Sequence, residues 1–99
     1  MEIRVLRYFV TVAREENITK AAEKLHITQP TLSRQLHQLE DEFGKKLFKR
    51  GNHDIKLTED GYLFRKYAEE ILDLVEKTES EMLSENNDIS GDIYIGAGE

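Results

Sequence analysis

Between positions 2 and 16, apolar residues fall at Ile3, Leu6, Phe9, Val10 and Ala13, at the intervals that gather them on one face of a helix. Arginines at 4, 7 and 14 separate them, so the pattern predicts an amphipathic helix with a broad apolar side. Asn17-Ile18-Thr19 interrupts it. Thr19 is then the expected N-cap of a short second helix, "KAAEKLH", with Ala21, Ala22 and Leu25 on its buried side. Two adjacent alanines let a neighbouring helix approach closely. After a tight turn at Ile27, the Thr28 hydroxyl caps a third helix. Its first turn holds Pro30, the one proline, where a missing N–H breaks no intrahelical bond. Leu32, Leu36, Leu39 and Phe43 form its apolar stripe, and Gly44 is its stop.

Beyond Gly44 the period shortens. Leu47-Phe48 and Ile55-Lys56-Leu57 flank the turn-rich "GNHD", which predicts a β-hairpin. Thr58, with Glu59 and Asp60 behind it, starts a helix that runs to about Glu85, a rod of roughly 40 Å at 1.5 Å per residue. Phe64, Ala68, Ile71, Val75, Thr78 and Met82 make a heptad seam along it with one polar interruption, widened by Leu63, Tyr67 and Leu74. Three short helices are too small to cover a seam of that length, so a second copy of the chain is its expected partner. An intramolecular core stripe is the competing explanation. "NNDISG" has the composition of a linker, and "DIYIGAGE" alternates like a strand without a partner strand, as the opening of a further domain would. The expected division is 1–58, 59–86 and 87–99.

With 99 residues, 38% hydrophobic and 34% charged, the chain fits one small soluble domain better than a disordered or membrane segment. No apolar run approaches the roughly 20 residues of a membrane span, and the helical pattern starts at once without a signal peptide. The absence of cysteine excludes disulfides and thiolate metal sites, and a cytoplasmic setting is expected. His26, His37 and His53 stand on separate elements without a ligand cluster, so no metal or other cofactor is expected. No nucleophile–base pair or phosphate loop is visible, so the chain is not expected to be an enzyme. The net charge of −6 argues against a nucleic-acid partner until its distribution is considered. Residues 1–58 carry 11 Lys and Arg against 8 Asp and Glu, whereas 59–99 carry 3 against 12. Phosphate contacts depend on local charge, which makes the front half the candidate binding surface.

Two short helices joined by a tight turn, followed by a hairpin, define a mainly α fold: a winged helix-turn-helix with a long linker helix behind it. In projection the leucine stripe takes one side of the third helix, leaving Pro30, Ser33, Arg34, His37, Gln38 and Asp41 outside. Mixed donors and acceptors of this kind suit base edges. Arg34 could reach guanine O6/N7, Gln29 or Gln38 adenine N6/N7, and Ser33 a base or phosphate. His37 is a further candidate contact. Around the hairpin turn, Lys49, Arg50, His53 and Lys56 suit a minor groove or flanking phosphates. Thr19, Thr28, Thr31, Lys45 and Lys46 are candidate backbone contacts that set register rather than sequence.

Residues 21–61, "AAEKLHITQPTLSRQLHQLEDEFGKKLFKRGNHDIKLTEDG", resemble the DNA-binding domain of the LysR-type transcriptional regulators. The family pattern A-A-x-x-L, Q-P-x-L-S-R-Q-[IL]-x-x-L-E-x-x-[LF]-G, L-F-x-R and L-T-x-x-G is met at every position, from Ala21 to Gly61. The resemblance implies base or phosphate contacts from Gln29, Pro30, Thr31, Ser33, Arg34, Gln35 and the wing. It also implies dimerisation through the long helix, and it makes "GDIYIG" the first strand of an effector-binding domain that would hold any small-molecule inducer. One departure is His53, followed by Asp54, where the family often has arginine. An imidazole beside a carboxylate is a weaker minor-groove anchor than a guanidinium. The expected function is a dimeric, sequence-specific regulator on double-stranded operator DNA, with higher oligomers open to the full-length protein. The alternative is a winged-helix module using the same face for a protein partner. The basic front half and the Gln/Ser/Arg surface favour DNA.

Overall fold

Six elements follow one another in the computed structural model, which describes residues 1–84. They are α1 (Ile3–Glu15), α2 (Ile18–Leu25), α3 (Gln29–Phe43), β1 (Phe48–Arg50), β2 (Ile55–Leu57) and α4 (Glu59–Leu83). The linker at 86–91 and the strand at 92–99 expected from sequence lie outside the described residues. Phe9 of α1 is fully buried at the centre, its ring 5.0 Å from that of Phe48 and 4.8 Å from that of Phe64. Ala21 and Ala22 of α2, and Leu32, Leu36 and Leu39 of α3, close the helical core as the apolar spacing predicts.

Helix ends explain the tight connections. The expected cap at Thr19 is corrected: α2 begins two residues earlier than "KAAEKLH" suggests, with Asn17 as its N-cap. The Asn17 side chain accepts from Lys20 N at 2.8 Å, and Thr19 sits within the first turn. Thr28 caps α3 as predicted, accepting from Thr31 N at 3.3 Å. Glu16 and His26 end α1 and α2 in the left-handed region, with φ of 54° and 60°. That conformation costs an L-residue about 1–2 kcal/mol, which the reversal of the chain around α2 requires. Gly44 ends α3 at φ 65° without that cost. Phe43 departs from its expected place in the buried stripe. It is 43% exposed, with the Phe64 ring 5.5 Å away covering one side of it.

The hairpin is antiparallel, pairing Phe48 with Leu57, Lys49 with Lys56 and Arg50 with Ile55. Gly51 N donates to Asp54 O at 2.9 Å and closes the predicted "GNHD" turn. Phe48, Ile55 and Leu57 face the core. Thr58 fastens α4 to the hairpin. Its hydroxyl donates to Lys46 O at 2.7 Å and accepts from Gly61 N at 3.0 Å, so one side chain caps α4 and ties it to the base of β1. At Gly61 a Cβ would collide with the Leu47 carbonyl, so α4 enters against bare backbone.

The seam expected along α4 resolves into two stripes. Ala68 is fully buried inside the chain, and Phe64, Ile71 and Leu72 pack partly against the same core. Ala68 is therefore withdrawn from the expected dimer contacts, because its side chain has no surface left for a second copy. The outward stripe holds Leu63, Tyr67 and Leu74, which are 55%, 50% and 63% exposed. Leu63 and Tyr67 each stand one residue before a core-facing one, a rotation of about 100° on the helix. Val75 is half-buried, and Thr78 and Met82 are exposed beyond the core.

Candidate nucleic-acid interface

Because its leucines seat α3 on α1 and α2, its first two turns are held outward. Thr28, Gln29, Pro30, Arg34, His37 and Gln38 are exposed, and Thr31, Ser33 and Gln35 are half-buried. Arg34, Ser33 and Gln38 have no hydrogen-bond or ion-pair partner among the described residues, so their donors and acceptors face outward unused. In contrast, the Thr28 hydroxyl is committed to the cap and also donates to the Thr31 hydroxyl at 2.9 Å.

Several of the sequence-predicted residues line grooves on three faces around α3, with Arg50 shared by two of them. On the first, the N-termini of α2 and α3 and the hairpin turn enclose a groove of about 400 Å³. Thr19, Gln29, Arg50 and His53 meet in it, together with Asn17, Asn52 and Asp54. There Thr19 Oγ1 donates to Gln29 Oε1 at 3.3 Å. On the second face, His37 shares a smaller groove with Lys46 and Arg50, next to Phe48 of the hairpin. On the third, Gln35 and Gln38 look toward Met1, Glu2 and Arg4 at the start of α1.

Two cations of the hairpin behave differently although they are paired across the strands. Lys49 is exposed without an ion-pair partner among the described residues. Lys56 Nζ lies 3.3 Å from Glu16 Oε1 and 4.0 Å from Asp54 Oδ2. Ile55 N also donates to Glu16 O at 3.2 Å. The left-handed residue that ends α1 thus holds the hairpin from backbone and side chain together, and Lys56 offers less free charge than its neighbours.

Glu40 is the residue that sequence reasoning passed over. It lies on the apolar side of α3, and its Oε2 accepts from Leu47 N at 2.7 Å and Phe48 N at 3.2 Å. Its Oε1 faces His37 Nδ1 at 3.8 Å and Lys46 Nζ at 3.9 Å. This buried carboxylate pins the hairpin to α3. Its position four residues after Leu36, on the leucine side, was the available signal. Among the described residues no group of three or more His, Asp or Glu is placed to hold a metal ion, and no helix is long and apolar enough to cross a membrane.

Residues 3–62, from α1 to the first turn of α4, match the family model of the bacterial regulatory helix-turn-helix proteins of the lysR family. The chain belongs to the LysR family. Among its LysR-family relatives, the HTH-type transcriptional regulator BsdA of Bacillus subtilis (strain 168) is 47% identical over 98 residues, which is 98% of this chain and 34% of BsdA. The chain thus spans about a third of that relative's length. Among solved structures, the BenM_DBD/catB site 1 DNA complex is similar with a TM-score of 0.80 at 48% identity, over 83% of this chain and 91% of that one. The CbnR_DBD–DNA complex follows with a TM-score of 0.79 at 38% identity, over 83% of this chain and 94% of that one. In this LysR chain the mainly α, winged helix-turn-helix architecture expected from sequence is the observed one.

Proposed function

We propose that this LysR-family chain is the DNA-binding part of a transcriptional regulator that holds a dyad-symmetric operator as a homodimer. The observation that carries it is the outer surface of α3's first turns, where the side chains of Ser33 and Arg34 have no partner among the described residues. In this proposal α3 enters the major groove. Arg34 reads a guanine edge, Gln29 and Ser33 address neighbouring positions, and the Thr31 hydroxyl, an acceptor in its bond from Thr28, donates to a phosphate. The hairpin lies along the minor groove with Lys49, Arg50 and His53, while Lys56 serves mainly to steady it. The DNA complexes of BenM_DBD and CbnR_DBD, so similar in fold, support this use of the surface.

Dimerisation proceeds through the outward stripe of α4, with Leu63, Tyr67 and Leu74 at its centre and Phe64, Ile71, Val75, Thr78 and Met82 beside and beyond it. Segments beyond this chain would supply any inducer site and any higher assembly, and the regulator would work in the cytoplasm. The test is binding to duplexes selected from a random pool. Affinity should fall linearly with log[salt], and Arg34→Ala should cost about 1–3 kcal/mol while relaxing preference at one base pair. Unchanged specificity in Arg34→Ala would remove Arg34 from the recognition surface.

A further inference from the structure

A base-reading glutamine has two ends, and which end it presents decides which base it accepts. Gln29 opens α3, and Thr19, in the first turn of α2, lies across the groove from it. The Thr19 hydroxyl donates to Gln29 Oε1 at 3.3 Å. That bond occupies a lone pair of the carbonyl and turns the oxygen toward α2. The Nε2 amide, with two N–H donors, is left as the outward end.

We infer that Thr19 sets the polarity of Gln29, making it a donor to DNA that selects an acceptor edge and discriminates against adenine. The inference rests on the proposed placement of α3 in the major groove. A glutamine that reads adenine uses both ends, accepting from N6–H₂ and donating to N7. With its oxygen turned to Thr19, Gln29 can still donate to adenine N7 but presents no outward acceptor to adenine N6–H₂, so adenine loses one of its two bonds. Guanine offers O6 and N7, and thymine offers O4, all acceptors. Thr19 is a positioning residue here. It changes base choice through Gln29 without reading a base itself.

The experiment compares the full chain with Gln29→Ala, Thr19→Val and Thr19→Ser on an otherwise optimal duplex, varied one base pair at a time. Gln29→Ala identifies the position at which preference flattens. At that position the parent chain should prefer guanine or thymine. Thr19→Val, close in shape but without the hydroxyl, should raise relative affinity for adenine there by about fivefold or more. Thr19→Ser should keep the parent preference. Two results overturn the inference: adenine gains nothing in Thr19→Val, or Thr19→Val weakens every duplex equally, as loss of a sequence-independent backbone contact would. A Gln29→Ala chain with no position-specific change overturns the major-groove placement beneath it.

Discussion

Glu40 sits on the leucine side of α3 with 8% of its surface exposed, and one of its oxygens takes two backbone N–H groups from the start of the hairpin. Removing that oxygen leaves both donors buried and unpaired. Hydrogen bonds to a charged group contribute about 1.5–3 kcal/mol, so Glu40→Ala should destabilise the chain by about 2–3 kcal/mol. Glu40→Gln, which keeps a carbonyl acceptor, should lose less. Denaturant midpoints rank the three chains, and amide exchange at Leu47 and Phe48 should rise first in the alanine variant. At this scale the sequence is legible where a side chain's chemistry matches its site, as with Pro30 in a first turn or Arg34 on an outer face. It is less so where two residues share one aptitude. Asn17 and Thr19 both cap helices well, and only the backbone settles the choice in favour of Asn17. Glu40 escapes a reading of the sequence because glutamate is ordinarily a surface residue, and its burial depends on amides that arrive only when the hairpin folds back.

Among the elements, α4 is the one whose spacing misleads. A period near 3.5 collects apolar residues from two adjoining faces when both are occupied, so the spacing suggests a single seam where a core stripe and an outward stripe run side by side. The two stripes separate under mutation. Leu74→Glu places charge on the outward stripe, and the chain should remain helical while light scattering shows monomers. Ala68→Glu forces a carboxylate into a closed site, and the chain should unfold well below the parent temperature. A dimeric Leu74→Glu chain would move the interface elsewhere. The other elements are mostly readable because each carries one dominant face, the exposed Ile3 of α1 and Phe43 of α3 being the exceptions. The leucines of α3, the alanines of α2 and the short alternation of the hairpin all take the positions their spacing assigns.

Over the whole molecule, charge and shape are arranged together. The long axis is 55 Å against 26 and 18 Å for the others. The basic excess belongs to residues 1–58, and the acidic excess comes after it in the chain. At 0.1 M salt the screening length is about 10 Å, so carboxylates far along α4 act on DNA only weakly, and chiefly at low ionic strength. Changing Glu76 and Glu79 to Gln should therefore raise non-specific duplex affinity by less than about tenfold in dilute buffer and leave it unchanged at high salt. Equilibrium titrations at two salt concentrations check this. Net charge alone points away from nucleic acid, and only its distribution is informative. The rings at 43, 64, 9 and 48 form a continuous contact chain from the end of α3 through α4 and α1 into the hairpin. These are all the phenylalanines of the sequence, and it has no tryptophan. The protein is therefore nearly silent to fluorescence excited at the red edge of absorption. A single indole at the half-open position 43 would become its only such emitter, reporting by its colour how firmly the linker helix sits on the recognition helix, from outside the surface proposed to meet DNA.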